Sequence, residues 1–93
     1  MATATVTNPL DMVRLSLDER VLVKCKGDRE LRGRLHAFDE HFNLVLSEVE
    51  EEQRVLERDA DTGEAVARTL RRTLEMIFVR GDMVILVSPP LRT

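Results

Sequence analysis

Hydrophobic and polar positions change their spacing once along this chain, and the change separates a short helix from a series of strands. Leu10, Val13 and Leu17 recur at i, i+3 and i+7, the repeat of one helix face. Asn8 ahead of them suits an N-cap, Pro9 suits the first helical position, and Asp11 puts negative charge in the first turn. Asp18 and Glu19 then close the helix. The small, polar residues before Asn8 read as a flexible tail over 1–7.

From Arg20 the period becomes two. Val21, Val23 and Cys25 alternate with Leu22, Lys24 and Lys26. Gly27-Asp28 is a hairpin dipeptide. In the next run Leu31, Gly33, Leu35 and Ala37 alternate with Arg32, Arg34, His36 and Phe38. Gly33 lies mid-strand on the inner face, where glycine marks a sharp bend or close backbone approach. After a turn at Asp39-Glu40, residues 43–49 form a third strand, with Leu44 and Leu46 opposed to Val45 and Val49. Thr73 to Val79 is a fourth, with Leu74, Met76 and Phe78 on one face and Glu75, Ile77 and Val79 on the other. Arg80-Gly81-Asp82 is a tight turn, Met83 to Ser88 a fifth strand, and Pro89-Pro90 its stop.

Between the third and fourth strands the alternation fails. Residues 48–64 hold eight acidic and two basic side chains, a net charge of −6. Residues 52–72 therefore read as a long, variable charged loop, with strand extensions at its ends. Consecutive short strands without intervening helices imply an antiparallel meander. The expected fold is mainly β: one N-terminal helix on a five-stranded, strongly bent sheet, forming a small open barrel within one domain over residues 8–93.

Composition narrows the function. The chain has 93 residues and a net charge of −3, with aromatics at only 3%, which by itself weighs against nucleic acid. Setting residues 48–64 aside leaves +3, so the acidity is local. A single cysteine permits no internal disulfide and no cysteine-based zinc cluster. No apolar run approaches the ~20 residues that span a bilayer, and residues 1–7 lack the features of a secretion signal. No metal or cofactor is expected.

Catalytic groupings are poor. Cys25 with His36 or His41 could in principle form a nucleophilic pair, but Cys25 falls on the inner face of the first strand and reads as a small apolar residue. Asp39, Glu40 and His41 lack further ligands at metal spacing. Glu50-Glu51-Glu52 reads as a solvated strand end. A different combination stands out in two turns. His41 and Asn43 flank Phe42, while Arg80 and Gly81 precede the last strand. A planar imidazole, a planar guanidinium and a carboxamide can sandwich a nucleobase and bond its edge. Taken singly, His41 also fits a capped surface histidine and Asn43 a turn residue.

The segments PLDMVRLSLDERVLVKCKGDRELRGRLHAFDEHFNLVLSEVEE and LEMIFVRGDMVILVSPPLR resemble the two halves of the Sm motif. The strings that carry this are Gly33 in the bent strand, Asp39-x-His41-x-Asn43, and Phe78-Val79-Arg80-Gly81-Asp82. The chain is similar to the Sm-like (Lsm) family, and within it to the third member of the eukaryotic series. That resemblance implies the Sm fold, with subunits joined through edge strands 73–79 and 83–88. It implies that His41 stacks on a base, Asn43 bonds the uracil edge, Asp39 orients the loop, Arg80 closes the sandwich and Gly81 admits the backbone.

It also implies an RNA-binding subunit of a heteroheptameric ring, not an enzyme. Partners would be other Lsm subunits and single-stranded U-rich RNA: the 3′ oligouridine end of U6 small nuclear RNA in splicing, and messenger RNA 3′ ends before decapping and decay. Nucleus and cytoplasm would be its compartments. Phe42 departs from the Leu or Met usual at its place. The alternatives are a homomeric Sm-like RNA chaperone ring and a small-barrel protein-interaction module.

Overall fold

The structure is a computed structural model and describes residues 8–89. The expected tail over 1–7 lies outside the described residues. Helix α1 spans Pro9–Leu15. Asn8 caps it reciprocally: its side chain accepts from the Asp11 N–H, and the Asp11 carboxylate accepts from the Asn8 N–H. This capping box satisfies two otherwise orphaned donors. The helix is shorter than its spacing predicts. It ends at Ser16, whose hydroxyl donates to the Met12 carbonyl, and Leu17 lies beyond it, exposed. Asp18, at a φ of 65°, turns the chain away from helical geometry.

Five strands follow: β1 Arg20–Cys25, β2 Arg29–Phe38, β3 Leu44–Arg58, β4 Ala65–Val79 and β5 Val84–Ser88, with a 3-10 turn at Gly81–Met83. They form one antiparallel sheet in the order β4-β3-β2-β1-β5. Thus β4 and β5 are its two edges. The β1–β2 turn is the three residues 26–28, closed by the Cys25↔Arg29 pair, and it uses left-handed backbone at both Gly27 and Asp28, with φ of 79° and 56°, a conformation glycine and aspartate tolerate better than most residues.

The core lies inside the bend. Val21, Val23 and Cys25 of β1, Leu31 and Leu35 of β2, and Leu44, Leu46 and Val49 of β3 are buried, joined by Val13 and Val79. Gly33 supplies the close approach its position predicts. A Cβ there would stand 3.0 Å from both the Ser47 carbonyl oxygen and the Val49 Cγ2. Opposite it, Glu48 adopts a φ of 51°, and the β2–β3 register shifts between Arg32 and Arg34. This bulge reverses side-chain parity, so Leu46 and Val49 both face the core although three residues apart.

Two expectations change as a result. On β4, Leu74, Ile77 and Val79 turn toward the core while Met76 and Phe78 are exposed. On β2, a second register shift between Leu35 and Ala37 leaves Ala37 exposed and packs Phe38 against the core.

The largest correction concerns residues 52–72. They are not a loop: β3 and β4 stay paired from Leu44↔Val79 to Arg58↔Ala65. Only residues 59–64 turn, held by Asp59, which accepts from the Asp61 and Thr62 N–H groups. Cross-strand ion pairs explain why so charged a segment forms strands. Arg72 grips Glu51 with two hydrogen bonds of 2.7 and 3.3 Å. Arg71 meets Glu52 at 3.1 Å, and Arg68 meets Glu57 at 3.0 Å. The basic remainder expected outside 48–64 therefore disappears. Residues 48–73 together carry eight acidic and five basic side chains, net −3, and the rest of the chain is neutral.

Candidate nucleobase pocket and family relationship

Two loops converge at one end of the barrel. The first, residues 39–43, joins β2 to β3. Its organiser is Asp39. One carboxylate oxygen accepts from the backbone N–H of His41 at 2.8 Å and of Asn43 at 3.0 Å. The other accepts from the Asn43 side-chain amide at 2.8 Å. These donors hold the Asp39 carboxyl below the usual carboxylate range. The Asn43 side chain contributes most, and the His41 charge adds to it.

The second loop is the turn from β4 into β5. The backbone N–H of Gly81 donates to the Asn43 side-chain oxygen at 2.7 Å. Asn43 is thus fixed at both ends, its nitrogen toward a carboxylate and its oxygen toward an amide N–H. That pairing settles the carboxamide orientation, because a carboxylate only accepts and an amide N–H only donates. Gly81 is required sterically. A Cβ on it would overlap the carbonyl oxygen of His41.

The five sequence-predicted residues are therefore brought together, but in two different ways. Asp39, Asn43 and Gly81 form the hydrogen-bonded frame. His41 and Arg80 are the exposed side chains mounted on it, at 75% and 74% side-chain exposure. Each has its own acidic neighbour. The His41 imidazole lies 3.6 Å from Glu40, and the Arg80 guanidinium donates to Asp82 at 2.9 Å.

Residues 11–89 match the LSM domain. The chain belongs to the Sm-like (LSM) family. It is 62% identical to the Sm-like protein LSM3B of Arabidopsis thaliana over 97% of this chain and 92% of that protein. It is 60% identical to the probable U6 snRNA-associated Sm-like protein LSm3 of Dictyostelium discoideum, over 96% and 92%. Among solved structures, the Sm protein of Pyrococcus abyssii in complex with a uridine heptamer superposes with a TM-score of 0.68 and 38% identity, covering 89% of this chain and 99% of that one. A heptameric archaeal Sm protein superposes at 0.61 with 31% identity, over 87% and 98%.

Sequence reasoning misses the role of Asp82 and the backbone conformation of Phe42. Asp82 stands two residues from Arg80 and holds its guanidinium; the Arg-Gly-Asp turn contains the signal, but only as one salt bridge among many possible ones. Phe42 takes a φ of 61°, uncommon for a bulky residue, and packs its half-buried ring against the core. That places the neighbouring His41 side chain outward. Cys25 is no part of the site. It is buried at 5% exposure, and burial pushes its thiol up from the ordinary range. Among the described residues no group of three His, Cys, Asp or Glu could hold a metal ion, and no helix is long and apolar enough to cross a membrane.

Proposed function

We propose that this chain is an RNA-binding subunit of a heteroheptameric Lsm ring that takes the 3′ oligouridine ends of RNA. It serves both pre-mRNA splicing, through U6 small nuclear RNA in the nucleus, and messenger RNA decapping and decay in the cytoplasm. The supporting observation is the Asn43 carboxamide, fixed by Asp39 and Gly81 with one amide hydrogen and one oxygen lone pair to spare. Uracil offers an acceptor and a donor side by side, which this pair can meet. His41 and Arg80 supply the two planes that stack on the base.

Ring closure follows from the two sheet edges, β4 and β5. Their exposed apolar side chains include Met76, Phe78, Ile85 and Leu86. Unpaired edges favour strand addition, and head-to-tail pairing that closes by rotation makes a ring. We read the chain as a binding scaffold and not as a catalyst. The names of its relatives, one of them associated with U6 small nuclear RNA, and the uridine-bound structural neighbour agree with this reading.

The test is co-expression with Sm-like partners, then native mass spectrometry with oligouridine and oligoadenosine. A seven-subunit mixed assembly that prefers oligouridine is expected. A ring of this chain alone that binds both equally would favour the homomeric chaperone, and a complex with no RNA would favour the interaction module.

A further inference from the structure

Beyond the barrel, β3 and β4 run on as a two-stranded arm, and the outer edge of β4 there has no partner strand among the described residues. β4 has 15 residues and β5 only 5. A neighbouring subunit that brings a β5 of this length to residues 73–79 therefore leaves 65–72 uncovered, and every residue of that stretch is exposed. The direction of its backbone groups can be read from the turn. The Asp59 N–H donates to the Glu64 carbonyl, which makes that couple a hydrogen-bonded pair. Such pairs alternate along an antiparallel ladder. Glu57↔Val66, Val55↔Arg68 and Gln53↔Leu70 are then the bonded ones. The N–H and C=O groups of Ala65, Ala67, Thr69 and Arg71 point away from β3, into solvent.

We infer that this edge of the arm docks an extended peptide segment of a partner protein, alternating acidic and apolar, as an added strand. The inference goes beyond the ring and does not rest on its RNA function. Open edges are usually blunted by proline, by bulges or by charges that project past them. Residues 65–72 hold no proline, glycine or acidic side chain, and the β3–β4 register runs through them without a shift. Arg68, Arg71 and Arg72 reach inward over β3, to Glu57, Glu52 and Glu51, and leave the edge open.

Charge identifies the occupant. The stretch carries three positive side chains and no negative one. A second copy is disfavoured, because antiparallel pairing of two such edges brings arginines together. Arg68 and Arg72 lie on one face of β4, and Ala65, Ala67 and Thr69 on the other. A strand with carboxylates on the first face and apolar side chains over the small residues of the second matches both. Arg68 bonds Glu57 through Nη1, so its Nη2 remains for a second carboxylate. The outward backbone groups favour peptide over nucleic acid. A phosphate only accepts, whereas an added strand meets both N–H and C=O.

The probe is a fluorescent octapeptide alternating glutamate and valine, titrated into the assembled ring. Saturable binding is expected, about tenfold weaker when lysine replaces glutamate. An Ala67→Pro ring should also bind about tenfold more weakly, because proline removes an outward N–H and leaves the β3 ladder intact. Its oligouridine affinity should match wild type. Wild-type hydrogen exchange gives a second reading that needs no variant. The peptide should protect the Ala67, Thr69 and Arg71 amides about tenfold more, while those of Val66 and Leu70, already bonded to β3, change little. Absence of binding, equal binding of the lysine peptide, or protection without this alternation would each overturn the inference. Displacement of the peptide by oligouridine would place RNA on the arm and overturn it as well. A ring that binds the peptide yet ignores oligouridine would sink the RNA function and leave this inference standing.

Discussion

The side-chain oxygen of Asn43 accepts a 2.7 Å hydrogen bond from the backbone N–H of Gly81, 38 residues away in sequence. This bond joins the loop after β2 to the turn before β5. It makes one pocket out of two loops that the chain order keeps apart. Because Asn43 is also bonded to Asp39, the junction is a chain of three residues rather than a single contact.

His41→Ala and Arg80→Ala should weaken oligouridine binding without dissolving the ring. Neither side chain is buried or part of the frame. Base stacking on a side chain contributes about 1–3 kcal/mol, so each replacement should lower the affinity of its pocket by roughly tenfold or more. Fluorescence anisotropy with labelled oligouridine checks the loss, and native mass spectrometry checks the ring. Unchanged affinity would remove both residues from the site.

Gly81→Ala should damage the frame itself. The added methyl meets the His41 carbonyl oxygen, a backbone atom that cannot rotate away. Overpacking of this kind costs about 1–3 kcal/mol, occasionally more. The melting temperature should fall and oligouridine binding should fall with it. A variant that melts like wild type would show that the two loops separate freely.

Asp39 gives the pocket a pH dependence whose sign is fixed. Its hydrogen bonds depress the carboxyl pKa in the folded state. The order it confers is therefore complete above the unfolded carboxylate value of about 3.9, and is lost as pH falls through the lower folded value. Asp39→Asn should abolish that acid step in loop order, followed by NMR of the His41 and Asn43 amides. An identical acid profile in the variant would refute the assignment.

Glu51 is buried at 5% exposure, and its carboxylate lies between Arg72 and Arg29. Arg72→Ala should lower thermal stability because the carboxylate then keeps only the 3.9 Å contact to Arg29. Pairing it with Glu51→Leu should recover part of the loss, since the buried carboxylate is then gone, and what remains of the loss reflects Arg29, whose buried Nε gives up its 3.9 Å contact to Glu51. Thermal unfolding of the two variants and of the single Glu51→Leu forms the test. A double variant no better than Arg72→Ala would mean the arginine stabilises through packing alone.

Shortening the β3–β4 hairpin by joining 53 to 70 through a tight turn should leave the barrel folded, because the strand residues within 54–69 pair across the hairpin and only the Arg54 N–H, which donates to the Asp28 carbonyl, ties them to the barrel's backbone. Oligouridine affinity should stay near wild type. A large loss would place one of the arm's arginines, Arg54, Arg58 or Arg68, on the RNA.

How far the sequence carries depends on whether a feature is local. Asn8, the Gly27-Asp28 hairpin and the bend at Gly33 were readable because each residue type is suited to the backbone it adopts. Asp39, His41, Asn43, Arg80 and Gly81 were readable as a group because they crowd into two turns. The bulge at Glu48 was not. A glutamate at positive φ has no compositional signal, and one such residue reversed the faces of Val49, Met76 and Phe78. The paired strands within 52–72 were hidden for another reason. Each half looks like a solvated charge run, and only the register that sets Glu51 against Arg72 and Glu52 against Arg71 makes it a ladder.

That ladder has a consequence for how this chain can change over time. Residues of the arm alternate between its two faces with a strict period of two. Deleting one residue from each strand would carry everything beyond the cut to the opposite face, and would move the Arg68–Glu57 bridge with it. Deleting two from each strand would not. Lineages that lengthen or trim this hairpin should therefore do so in steps of four residues, while the barrel beneath keeps its length.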